Sequence, residues 1–358
     1  MKLCRECYSI IDEGIIAENC EACCNALDKV EEFAEEIVKA MSVYEFETFN
    51  VGSRVWGSLK ALQEYLALKG VEYEIKQRFN ARLAMAIEKK TGKERDLNPH
   101  INVLFDLETF KFNLQIKPVY IYGRYLKRVR HISQTRWLCG YCKGKGCEVC
   151  DFTGRKYVSS VEDLIAAPAI KLFQARDAKL HGAGREDVDA RMLGTGRPFV
   201  LEIIEPRRRF VDLTELERAI NAQRWVAVRE LEYVDSEKVK EVKMERHRKK
   251  YRAKIVFEEE VEKEKLVEAL ESLKGEIRQR TPTRVSHRRS DKVRIRKLFD
   301  ARLIHHTGRA AVVEFEADAG LYIKELVSGD NGRTTPSLAE KIGILAKVER
   351  LDVIAVFN

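Results

Sequence analysis

Eight of the nine cysteines stand in four Cys-x-x-Cys pairs: Cys4 with Cys7, Cys20 with Cys23, Cys139 with Cys142, and Cys147 with Cys150. Two thiolates two residues apart reach one tetrahedral ion from a single tight turn, and zinc is the ion this pattern points to. Twelve residues separate the first two pairs, with Gly14 available for the turn. Only four separate the last two, within the glycine-rich run Gly140 to Gly146. One zinc in each set is the expected arrangement; a single cross-arranged site, or a second set of plain reduced thiols, is the alternative. Four thiolates leave no open coordination position, so both sites read as structural. Cys24 is left over.

A second chemical stretch runs from His181 to Pro198. Glycines at 182, 184, 194 and 196 let the backbone approach a ligand closely, and Asp187 and Asp189 stand among Arg185, Arg191 and Arg197. A guanidinium beside a carboxylate keeps it ionised and oriented, as a nucleophile or general base requires. A salt-bridged structural loop would have the same composition.

The elements that must position these residues are set by periodicity. Leu27, Val30, Phe33, Ile37 and Met41 recur at helical steps, predicting a helix that ties the first cysteine set to the domain beginning near Tyr44. Residues 44–137 alternate strand and helix patterns: strands at Glu45–Val51, Glu72–Phe79, Ile101–Leu107 and Lys111–Tyr122, helices at Ser58–Lys69 and Asn80–Lys90. The last strand leads into Tyr120, Tyr122, Arg124, Tyr125, Lys127, Arg128 and Arg130. Rings that stack on bases there alternate with cations that meet phosphates, as on an RNA surface, although an ordinary edge strand looks the same. The second cysteine set then forms a boundary module. Beyond it the pattern predicts a helix at Val161–Phe173, a loop through the 181–198 run and a strand at Phe199–Glu205. Further strands are expected at Trp225–Tyr233, Lys250–Phe257, Val293–His306, Ala310–Ala317 and Ala346–Phe357, with helices at Leu213–Ala222, Val261–Leu273 and Leu321–Val327. Gly275–Arg280 reads as a turn. The division is therefore 1–43, 44–137, 138–160 and 161–358.

The net charge is +8, from 65 basic and 57 acidic residues. The cations gather at Arg124–His131, Arg207–Arg209, Arg246–Arg252, Arg284–Arg289 and Lys292–Lys297, which favours a polyanion through phosphate neutralisation. No run approaches the roughly 18 to 20 apolar residues of a membrane helix, and the start lacks a signal-peptide core. A cytoplasmic protein with no membrane partner is expected.

Gly184-Arg185-Glu186-Asp187 resembles the Gly-Arg-x-Asp signature of pseudouridine synthases. The longer run through Arg197-Pro198-Phe199 resembles the archaeal and eukaryotic tRNA pseudouridine(54/55) synthases. Lys249-Lys-Tyr-Arg-Ala-Lys254 is similar to the strand carrying that family's active-site tyrosine, and Ala319-Gly-Leu-Tyr-Ile-Lys-Glu-Leu326 to its third motif. Residues 44–137, best at Asn98 to Asp106, resemble the RNA-binding THUMP domain.

The resemblance implies an α+β fold: a mixed, mostly antiparallel catalytic sheet flanked by helices with a central cleft, plus an N-terminal zinc-binding and THUMP-like α/β domain. It implies uridine isomerisation in the tRNA T-loop, at position 55 and also 54, without an organic cofactor and with no obligatory protein partner. Asp187 would be the catalytic carboxylate; Asp189 lies two residues late for the signature. Tyr251 would stack on the flipped base and help with the C5 proton. Tyr322, Arg185 and Leu326 would contact substrate, and Lys324 would pair with Asp187. Without the resemblance each has a plain reading: packing for Tyr251, core for Tyr322 and Leu326, a solvated cation for Lys324.

Two alternatives compete with this reading. A methyltransferase or thiolase on the same RNA-binding domain would need a glycine-rich nucleotide- or pyrophosphate-binding turn after a strand, and none is present. A zinc-stabilised RNA-binding protein could use the Asp187 loop to grip phosphates, but a carboxylate there works against that role.

Overall fold

The computed structural model of the chain describes residues 1–357, Arg288 by its backbone alone. Two units form: Met1–Val119 with Leu172–Asp177 and Ile203–Val211, and Tyr120–Lys171 with Ala178–Glu202 and the chain from Asp212 onward.

In the first unit β1 (Lys2–Leu3) and β2 (Ile15–Ile16) pair in parallel around α1 (Arg5–Ile11). Next come α2 (Val30–Met41), β3 (Thr48–Arg54), α3 (Gly57–Leu68), α4 (Ile75–Thr91), β4 (Glu94–Arg95), β5 (Ile101–Asp106) and β6 (Lys111–Ile116). The sheet order is β4-β3-β5-β6. Val30, Phe33, Ala34, Ile37 and Met41 bury one stripe of α2, and Phe33 meets Phe79 and Phe105 with ring centroids 6.2 and 4.9 Å apart. The strand expected at Glu72–Phe79 is instead the first part of α4. Val71, Tyr73 and Ile75 alternate, but Ile75, Phe79, Leu83 and Ile87 recur every four residues and all four are fully buried, so the helical stripe decides.

The second unit contains β7 (Val119–Lys127), α5 (Val161–Phe173), β8 (Asp177–Gly182), β9 (Arg191–Ile204), α6 (Leu213–Asn221), β10 (Val226–Val234), α7 (Glu237–Met244) and β11 (Lys249–Phe257). It continues with α8 (Lys263–Ser272), β12 (Gly275–Arg280), β13 (Val293–His306), β14 (Ala310–Ala317), α9 (Ile323–Ser328), β15 (Thr334–Thr335), α10 (Leu338–Ile342) and β16 (Ala346–Val356). Its 10-stranded sheet runs β10-β7-β9-β16-β11-β14-β13-β12-β15, with β8 paired to β9. The pairing is mostly antiparallel; β16 and β9 are parallel.

Three expectations are corrected here. The strand expected at Lys111–Tyr122 is two strands, because Pro118 cannot donate to a ladder, and β7 lies in the large sheet between β10 and β9. Gly275–Arg280 is a strand, its polar Glu-x-Arg-x-Arg face exposed while Ile277 and Gln279 are buried. The expected loop from 181 to 198 is a loop only at 183–190, since β9 begins at Arg191. Among the described residues no helix is long and apolar enough to cross a membrane.

Candidate active site

The loop 183–190 joins β8 to β9 and is held from beneath by buried charges. The Glu186 side chain is buried: Arg197 Nε lies 2.9 Å from its Oε2, Tyr125 donates its hydroxyl to the same oxygen at 2.8 Å, and Lys127 Nζ stands 3.7 Å from Oε1. Lys127 spends its three donors on the carbonyls of Ile132, Asp187 and Val188, at 3.1, 3.2 and 3.2 Å. Arg197 Nη1 donates to Ala183 O at 2.7 Å, Gln134 Nε2 to Gly184 O at 2.8 Å, and Arg130 Nη1 to Asp189 O at 2.8 Å. Burial opposes ionisation of Glu186, yet Arg197, with Lys127 and Tyr125, outweighs it and holds the carboxyl below its ordinary value.

Asp187 emerges on the other side, at the wall of a cavity of about 550 Å³, within the roughly 300–1,000 Å³ of small-molecule sites. Arg284 Nη1 reaches its Oδ2 at 3.0 Å and Oδ1 at 3.1 Å, while Arg284 Nε is fixed by Glu325 Oε1 at 2.6 Å. Lys324, at the first turn of α9, gives its short contacts to Asp189 (2.9 and 2.6 Å) and stands 3.6 Å from Asp187 Oδ2. Burial disfavours the charged form of Asp189, but the hydrogen bond from Lys324 prevails and holds its carboxyl below the usual range. Lys324 therefore serves both carboxylates, and Asp189 first.

Tyr251 lies inside β11, 8% exposed, where burial pushes its phenol up to about 12; Arg197 opposes and Asp187 adds to that rise. Tyr322 precedes α9 and accepts from Arg289 Nη1 at 2.7 Å. Arg185 lines the cavity with its guanidinium 5.2 Å from the Trp137 ring. Leu326 is fully buried and is not among the cavity's lining residues. Arg246, Arg284, Arg289, Arg294 and Arg296 line the cavity as well, an electropositive setting for a polyanion.

The residues that organise the site do not stand out in the sequence. Arg284 reads there as one cation of a solvated cluster. Glu186 fills the unspecified position of Gly-Arg-x-Asp. Arg124, Tyr125 and Lys127, expected on an RNA surface, are buried: Tyr125 and Lys127 support the loop, and Arg124 donates to the carbonyls of Thr195, Gly196 and Val356. β7 carries only two cations, Arg124 and Lys127, among three tyrosines, a mixture that suits an inner face as readily as a solvent one. Lys249, also buried, lines the cavity; burial and the nearby Arg197 bring its ammonium down to about 7, against the pull of Glu186.

The cysteines form two separate clusters, Cys4, Cys7, Cys20, Cys23 and Cys139, Cys142, Cys147, Cys150, each with all four Sγ atoms within 4.8 Å of one another. A tetrahedral ion with Zn–S bonds of about 2.3 Å sets S···S edges of roughly 3.8 Å. Cys4–Cys23, Cys139–Cys147, Cys142–Cys150 and Cys147–Cys150 stand at 3.7, 3.9, 3.8 and 3.7 Å. The backbone N–H groups of Gly146 and Gly154 point at Cys142 and Cys150 Sγ at 3.2 Å. Both clusters fit a metal ion and are compatible with zinc.

Residues 120–357 match the family description "Pus10, C-terminal", and residues 33–106 match "Pus10 THUMP domain, archaeal". The chain is 82% identical over 356 residues to "tRNA pseudouridine synthase Pus10" of Archaeoglobus fulgidus, covering 99% of this chain and 100% of that one. It is 48% identical to the protein of the same name from Methanopyrus kandleri, over 98% and 83% of the two chains. Among solved structures, a Cbf5-Nop10-Gar1 complex aligns over 55% of this chain and 45% of the other at 18% identity and a TM-score of 0.35, too remote to add to the fold. The two matched regions and the full-length identity place the chain in the Pus10 family of tRNA pseudouridine synthases.

Proposed function

We propose that the chain isomerises uridine to pseudouridine in the T-loop of tRNA, at position 55 and also at 54, with Asp187 as the catalytic carboxylate. The observation that carries this reading is the Asp187 carboxylate at the cavity wall, oriented by Arg284, whose Nε is fixed by Glu325. The reaction breaks N1–C1′, turns the uracil and joins C5 to C1′. A carboxylate so held attacks or stabilises C1′, or takes a sugar proton; each route uses the same oxygen atoms. Tyr251, a neutral phenol at working pH, offers a face to the extruded base, and Tyr322 and Arg185 line the space around it. The arginines at the cavity suit the phosphates of the T-arm. The THUMP-like region of residues 44–137 holds the tRNA, and residues 161–358 carry the chemistry. One zinc in each cysteine cluster braces its segment without entering the reaction.

The test is pseudouridine formation on an unmodified tRNA transcript by wild type and Asp187→Ala, with tRNA binding in parallel. Transcripts carrying cytidine at 54 or 55 report the position. Wild type is expected to modify both uridines and the variant to bind equally and modify neither. Equal binding without product from either protein would hand the chain to a binding role.

A further inference from the structure

Every other buried charge around the Asp187 loop is matched: Glu186 by Arg197, Lys127 by three carbonyls, Arg197 also by Ala183 O. Lys249 is not. It is 9% exposed, it lines the cavity, and among the described residues its Nζ has neither a hydrogen-bond nor an ion-pair partner. Gly184, at φ +69°, makes room for it; a Cβ there would stand 3.4 Å from Nζ. The strands flanking β11 set Ala317 and Val356 opposite Lys249, so neither supplies a charge. The charged groups that act on it are Arg197 of β9, which repels, and Glu186 of the loop, which attracts. Tyr251, two residues along the same strand, shares its face and the cavity with Asp187. An amine held without a partner beside a reaction cavity is free to exchange a proton with a group that the substrate brings.

We propose that Lys249 is an acid–base residue of the isomerisation, its neutral amine accepting the proton that leaves C5 of uracil after C5 has joined C1′. This rests on the function proposed above. When C5 bonds to C1′, C5 still carries its hydrogen and the ring holds N1=C6. The Lys249 lone pair takes that hydrogen as a proton, the C5–H pair becomes C5=C6, and the N1=C6 pair moves to N1, which takes one proton in return. One proton leaves C5 and one arrives at N1, so no co-reactant is needed. Tyr251 does not suit this step, since burial pushes its phenol up to about 12, whereas burial brings Lys249 down to about 7, where a neutral amine is available.

The experiment is single-turnover pseudouridine formation on tRNA transcripts with ordinary or 5-²H uridine, from about pH 5.5 to about 9. Wild type, Lys249→Arg, Lys249→Gln and Asp187→Ala are compared, with tRNA binding measured for each. The wild-type rate should climb with pH and level off above about 7, as the amine loses its proton. Lys249→Arg, which keeps the charge but cannot give up its proton, and Lys249→Gln should each lose about 10²–10⁴-fold in rate. Their affinity for tRNA should hold, and a deuterium effect at C5 should emerge. A wild-type rate flat across this range overturns the proposal even if the variants fail to fold. So does Lys249→Arg with wild-type rate and profile, or a loss confined to affinity, which would make Lys249 a phosphate contact. Activity in Lys249→Arg with none in Asp187→Ala sinks this inference alone; a wild type that makes no pseudouridine sinks the proposed function with it.

Discussion

Glu186 and Asp187 are neighbours in the chain and opposites in setting. Glu186 points down into a layer with Tyr125, Lys127 and Arg197 where no side chain is more than 1% exposed, whereas Asp187 points up, 29% exposed, between Arg284 and Lys324. The same charge type thus does two jobs one residue apart. The lower carboxylate fixes where the loop lies; the upper one is held in register by that loop and left open to the cavity. Placement and reactivity are separable here, and substitutions can separate them.

The largest expected effects come from exchanging the two roles. Asp187→Ala should abolish at least about 10³ of the rate, about 4 kcal/mol of transition-state stabilisation, while leaving denaturant stability within about 0.5 kcal/mol. Glu186→Ala should do the reverse first, lowering stability by roughly 3–5 kcal/mol, because Arg197 and Lys127 are left buried without their counter-charge. The carboxyl of Glu186 is held below 4.5, so its stabilisation is fully present above that pH and is lost as pH falls through the depressed folded value. Urea titrations of wild type and Glu186→Gln across acid pH should therefore converge as pH falls; a constant gap would show that the amide loses packing rather than charge. Lys324→Met should fall between, costing about tenfold in rate, ~1.4 kcal/mol, with little change in stability, read from single-turnover kinetics. The smallest effect belongs to Arg185→Ala: its stacking on Trp137 is worth about 0.5–1 kcal/mol at an exposed site, visible as a few-fold rise in the tRNA concentration for half-maximal rate.

The upper layer was legible in the sequence and the lower was not. Asp187, Tyr251, Tyr322 and Lys324 were singled out from short motifs, and all four line one cavity. Glu186 and Arg197 stand 11 residues apart in the signature run, but Lys127 comes from a strand 60 residues before Asp187, and nothing local marks a charged residue as buried. Arg284 is hidden for a related reason, since its worth lies in Glu325 and Asp187, 41 and 97 residues away. In the fold, α2 and most strands of the large sheet were legible because one face of each is buried and its period shows. The start of α4 and the strand β12 were not, the first because a strand-like alternation overlapped a helical stripe. The second was hidden because its exposed face is almost wholly polar.

Gly194 lies in β9 at φ +58°, and a Cβ there would come within 1.7 Å of Ile354 O on β16. The glycine written into the signature run is therefore a clearance between two strands, not a groove for a ligand. Anyone sorting genomes by that run would be scoring architecture: a relative that keeps Gly194, Arg197 and Glu186 but has lost Asp187 would still match over most of it and fold the same way, and on the role proposed for Asp187 would be chemically silent.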